Sequence, residues 1–135
     1  MLSPHRLFLH LSVLVCMALL FFCPEAFART EVRGQISTDT TWTVAGSPYI
    51  ITGTVVVRGK DGDDGVTTLT IEPGVELRFN ANTRLDVGGS SGDPGALIAA
   101  GTADAPIRFT ANSADPKPGH WNGIRFLATA QSTSR

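Results

Sequence analysis

Three short runs echo one another: Leu77-Arg78-Phe79, Ile107-Arg108-Phe109 and Ile124-Arg125-Phe126 each set an arginine between two bulky apolar residues. Each lies in a strand-like stretch cut off by Gly, Pro, Asn or Asp. Successive rungs of one coiled sheet produce such a recurrence when they bury the same face, so the pattern points to a solenoid. It constrains architecture and says little about activity.

The first 28 residues are read separately. His5 and Arg6 precede an apolar stretch from Leu7 through Cys23, followed by Pro24 and the small-x-small triplet Ala26-Phe27-Ala28. This is the layout of a secretory signal cleaved before Arg29, and it predicts a secreted or cell-surface product. The apolar stretch reaches the lower limit for spanning a bilayer, roughly 17 residues, so a retained anchor is the alternative. Once the leader is cleaved, no membrane segment is expected. Cys16 and Cys23 both fall in this leader, so the mature chain would hold no disulfide and no thiolate metal site. Eleven basic against twelve acidic residues give a net charge of −1. The basic residues are scattered, and nucleic acid is not an expected partner, because phosphate binding needs a basic stripe.

From Arg29 onward Val, Ile, Thr, Leu and Phe build the periodic runs, and Gly, Pro, Asn, Asp and Ser punctuate them. Strands are expected from Trp42 to Val44, Tyr49 to Ile51, Thr54 to Val57, Thr68 to Ile71, Val75 to Phe79, Arg84 to Val87, Ala96 to Ala99, Ile107 to Thr110 and Trp121 to Phe126. Alternation sends Val75, Leu77, Phe79, Leu85, Val87, Ile107, Phe109, Ile124 and Phe126 inward. It leaves Glu76, Arg78, Asp86, Arg108 and Arg125 in water. Grouped in threes, the strands from Thr54 to Phe79 make one turn and those from Arg84 to Thr110 the next, while Trp121 to Phe126 begins a third. The polar stretches Gly59 to Gly65 and Gly88 to Gly95 read as insertions at corners, where they leave stacked strands undisturbed. A β-sandwich is the structural rival. It needs tight hairpins, and few two-residue hairpin signals separate these strands.

The run Leu69-Thr70-Ile71-Glu72-Pro73-Gly74-Val75 resembles the "LTIEPGV" stretch of secreted bacterial right-handed parallel β-helix proteins of the pectin-lyase-like kind. Ala96 through Thr110, with Gly119-His120-Trp121-Asn122-Gly123-Ile124 after it, resembles the next rungs. The resemblance implies an all-β, right-handed parallel β-helix over residues 29–126, with two complete coils and an incomplete third. Residues 127–135 read as a polar tail, truncated relative to such proteins, which usually continue for several more coils. An unfinished last coil leaves strand edges uncovered, so association through it is expected.

Candidate sites are few. Asp61, Asp63 and Asp64 concentrate oxygen ligands in a glycine-rich loop, which makes calcium the one cofactor to consider; a solvated acidic turn is the alternative. Arg78 and Arg108 would lie outside on equivalent strands one coil apart, forming a cationic step able to meet an acidic sugar. Arg125 would instead stack near Asp86. His120 is expected to be a turn histidine, because nothing near it in the chain supplies a nucleophile. Trp42, Tyr49 and Trp121 are either a sugar-stacking platform or core and end caps.

Two functions are consistent with these residues. One is a noncatalytic exported module serving as scaffold, adhesion element or contact to polysaccharide or cell-surface glycan. The other is a fragment of a polysaccharide lyase or glycoside hydrolase. Enzymes of this fold generally gather acids, bases and calcium ligands on the groove of central coils, and no paired carboxylates in such an arrangement are visible in the sequence. The module is the expectation.

Overall fold

The computed structural model describes residues 29–132, so the expected signal peptide and the last three residues lie outside the described residues. Within them the chain forms β1 (Thr30–Ile36), β2 (Thr40–Trp42), β3 (Tyr49–Val57), β4 (Thr67–Ile71), β5 (Glu76–Phe79), β6 (Leu85–Val87), β7 (Gly95–Ala99), β8 (Arg108–Ala111) and β9 (Ile124–Phe126). The strands form a six-stranded sheet, ordered β8-β5-β3-β6-β9 with β1 also on β3, and a three-stranded sheet ordered β2-β4-β7.

Every strand pair is parallel. Hairpins cannot produce parallel neighbours, so the sandwich is excluded and the chain coils. The register resolves this coil into three stacks. Val55, Leu85 and Ile124 lie one above another, as do Tyr49, Leu77 and Phe109, and Leu69 and Leu97. These are the strand groupings expected from the sequence, and their inward residues make the core: Ile51, Val57, Leu69, Val75, Leu77, Phe79, Leu85 and Val87 are all wholly buried.

Several details differ from expectation. β1 forms although only Val32 and Ile36 mark it as apolar; it is drawn into the ladder by β3, with a register shift between Val32 and Gly34. The runs at Tyr49 and Thr54 are one strand, because β3 pairs first with β5 and then, beyond Gly53, with β6. Val44 belongs to a short 3-10 turn, Val44–Gly46, rather than to a strand. Only Ile124–Phe126 of the last expected strand is extended.

Asp86 does lie on the outer face, but it is only 4% exposed, because two arginines cover it. Phe126 follows the buried column of Val57 and Val87, yet it is 64% exposed: among the described residues no rung lies over it. Leu127 to Gln131 do not leave the coil. Leu127 N–H donates to Val87 O, Ala130 bridges Gly95 in parallel, and Gln131 N–H donates to Gly95 O, which starts a further layer on the three-stranded sheet. The corner between β5 and β6 is stitched to the layer above by Asn112, whose Nδ2 donates to Asn80 Oδ1 at 2.7 Å.

Candidate functional site

The outer face of the three-stranded sheet carries a polar hollow. Thr41, Thr70 and Ile98 stack in one column across β2, β4 and β7, and Thr68 lies beside them on β4. Alternation places these side chains outside because Leu69 and Ile71, between and beyond the threonines, fill the core. Asp39 and Asp64 wall one side of the hollow and Gln131 and Ser132 the other.

The acidic loop is tied to this face. Asp39 Oδ1 accepts the Thr68 N–H at 2.8 Å, its own N–H donates to Asp61 Oδ2 at 2.6 Å, and Asp64 Oδ1 accepts the Val66 N–H at 3.0 Å. Gly62, with φ +70, lies against both aspartates of this wall: a Cβ there would be 3.0 Å from Asp39 Oδ2 and 3.5 Å from Asp64 Oδ1. Of the three aspartates singled out in sequence, Asp64 faces the hollow, Asp61 anchors the preceding rung and Asp63 is exposed. Among the described residues no three acidic, histidine or cysteine side chains gather in a metal-binding cluster. Sequence reasoning missed Asp39, which is distant in the chain and reaches the loop only through the winding.

The chain is a parallel coil whose outer face carries a hollow beside a corner loop, and a family model described as "Pectate-lyase like beta helix domain" matches residues 34–134. The chain belongs to this pectate-lyase-like β-helix family. The match spans both sheets and both walls of the hollow. No curated protein and no solved structure matches the chain.

The same β-helix places the two arginines singled out in sequence on the six-stranded sheet. β5 and β8 are neighbours, but the register sets Arg108 over Glu76 and Thr110 over Arg78, so the two arginines are not stacked as a step. Arg78 is turned onto Glu76 instead, donating from Nε at 3.0 Å and from an Nη at 3.2 Å, which raises its pKa further. A shallow depression runs past Glu76, Arg78, Thr110 and Asn112.

The aromatic alternatives separate. Trp42 and Tyr49 are 4% and 6% exposed and stack on each other with centroids 4.8 Å apart, so they are core of the β-helix and not a sugar platform. Trp121 stacks on Phe79 at 4.0 Å. His120 sits in the turn before it, with its Nε2 buried and unbonded and its carbonyl accepting the Asn82 N–H at 2.8 Å.

Proposed function

We propose that this chain is a noncatalytic, exported module of a right-handed β-helix, two coils and part of a third, that contacts glycan through the hollow on the three-stranded sheet. The observation that carries this reading is the composition of that hollow. Threonine hydroxyls, two carboxylates and a glutamine amide surround an aliphatic Ile98, a mixture that matches the hydroxyl and C–H surfaces of a sugar. The carboxylates are already occupied in holding the loop: Asp39 bonds to Thr68 and Asp64 to Val66, which suits orientation of a ligand better than proton transfer. On the other sheet the exposed Arg108, with Arg78 beside it paired to Glu76, adds a second polar strip open to an acidic sugar. A secretory leader on residues 1–28 fits a glycan partner outside the cell.

The test is calorimetric titration of the full chain with neutral and acidic oligosaccharides, beside Asp39→Asn and Thr70→Val. Weaker binding in both variants with unchanged melting is expected. An absence of binding to every sugar would overturn the glycan reading. New reducing ends or unsaturated sugars formed by the chain, and lost in Asp39→Asn, would replace it with a lyase or hydrolase.

A further inference from the structure

The two ends of the coil carry matching open ladders. At the first rung Thr30 N–H donates to Pro48 O and Ile36 O accepts the Arg58 N–H, so β1 spends these backbone groups on the β3 side. Backbone groups of a parallel strand alternate between its two sides, which turns those of Glu31 and Gln35 to the open edge. At the last rung Arg108 and Asn112 N–H donate to Val75 O and Phe79 O, and Leu127 N–H donates to Val87 O. The same alternation leaves the carbonyls of Phe109 and Ile124 open. Among the described residues no strand lies beneath β1 or over β8 and β9. Unpaired edges of this kind are templates for another strand.

The buried columns run out at the same places. Ile36, Val57, Val87 and Phe126 form one column, which ends on the 64% exposed Phe126. Val32, Ile51, Phe79 and Ala111 form another. At the opposite end of the coil Val32, Ile36, Trp42 and Val55 line an open hollow. The winding is also in phase. Leu127 to Gln131 lie on the three-stranded sheet, and the strand that follows such a segment in this coil belongs to the six-stranded sheet, as β1 does.

We propose that a second copy of this chain seats its β1 on β8 and β9, continuing the coil head to tail. Ile36 of that copy covers Phe126, Val32 covers Ala111, and the Glu31 and Gln35 N–H groups donate to the Phe109 and Ile124 carbonyls. One strand against two is a pairing the fold already uses, since β3 carries β5 and β6 side by side. The wet face matches as well. Gln35 comes over Arg125, and Glu31 comes over Thr110, beside Arg108 and with Arg78 beneath the threonine. Arg29 also approaches Arg108, but Glu31 neutralises it at 2.8 Å. The contact uses different surfaces on the two copies, so it does not close at a dimer and grows into a filament.

The experiment is sedimentation velocity of the full chain over a range of concentrations, beside Phe126→Lys and Glu31→Pro. Both variants should melt as the parent does: Phe126 is exposed, and proline is tolerated on an edge strand where the lost N–H faced solvent. The parent should form species beyond the dimer that grow with concentration, and each variant alone should stay monomeric. Phe126→Lys keeps a working first rung and Glu31→Pro a working last rung, so their equimolar mixture should give a one-to-one pair and stop there. A parent that is monomeric throughout would overturn the proposal. So would assembly unchanged in either variant, which marks aggregation through other surfaces. Dimers that persist in Glu31→Pro alone would overturn it too, because they mark a symmetric contact through Phe126.

Discussion

Asp86 on β6 and Arg125 on β9 face each other in register, and the guanidinium grips both carboxylate oxygens at 2.8 Å. The pair joins the last described strand of the six-stranded sheet to the rung beneath it, where the ladder is only three residues long. Asp86→Ala should therefore destabilise the fold by about 1–2 kcal/mol. The cost stays modest because the freed arginines are half-exposed and regain water. Urea unfolding at neutral pH measures it, and a loss below a few tenths of a kcal/mol would show that the contact contributes nothing.

The same contact sets an acid dependence. Hydrogen bonding to Arg125 lowers the Asp86 pKa, burial opposes it, and Arg84 adds to the lowering. A carboxylate depressed in the folded state contributes fully above its unfolded value of about 3.9 and loses that contribution as pH falls through the lower folded value. Urea midpoints should drop below about pH 4 in the parent chain and drop less steeply in Asp86→Asn. Parallel profiles would assign the acid sensitivity elsewhere.

Trp121 closes the core over Phe79, with ring planes 16° apart and centroids 4.0 Å apart. It is only partly buried, so Trp121→Ala should cost about 2–3 kcal/mol, below the roughly 3–5 kcal/mol of a fully buried tryptophan. Denaturant melts report the loss directly. A Trp121→Phe variant, which keeps a stacking ring, should recover about half of it.

Two glycines should respond unequally to alanine. A Cβ on Gly95 would strike the Val57 carbonyl oxygen of the neighbouring rung, and it would lie 2.7 Å from Gly88 N on its own coil, both rigid backbone atoms. Gly95→Ala should cost about 3 kcal/mol or more and leave the chain poorly folded. Gly123 has open space around the same position and only its φ of +80 to defend, so Gly123→Ala should cost about 1 kcal/mol. Comparable losses at both sites would contradict the close packing of β7 against β3.

The winding was legible because alternation and spacing are local signals that every rung repeats. Leu69 over Leu97 and Val55 over Leu85 follow once the apolar faces are assigned. The echo that announced the repeat proved looser than the repeat itself. Leu77-Arg78-Phe79 is offset by two places from Ile107-Arg108-Phe109, and Ile124-Arg125-Phe126 stacks on Leu85-Asp86-Val87 in another part of the sheet. Each triplet marks a half-buried strand; none marks an equivalent rung position. β1 escaped notice because its burial depends on β3 lying against it, which a weakly apolar segment does not announce.

What the sequence determined by itself was strand chemistry: which residues bury, where the chain turns, and that parallel coiling satisfies both. That information is local, since side-chain alternation and turn preference act over a few residues. The tertiary structure alone decided which outward residues meet. Asp39 joins Asp61 and Thr68, Asp86 takes two arginines, and Arg108 lies over Glu76 and not over Arg78. Corner lengths set these meetings, and a shift of two residues keeps the same face buried while changing every partner on the wet one.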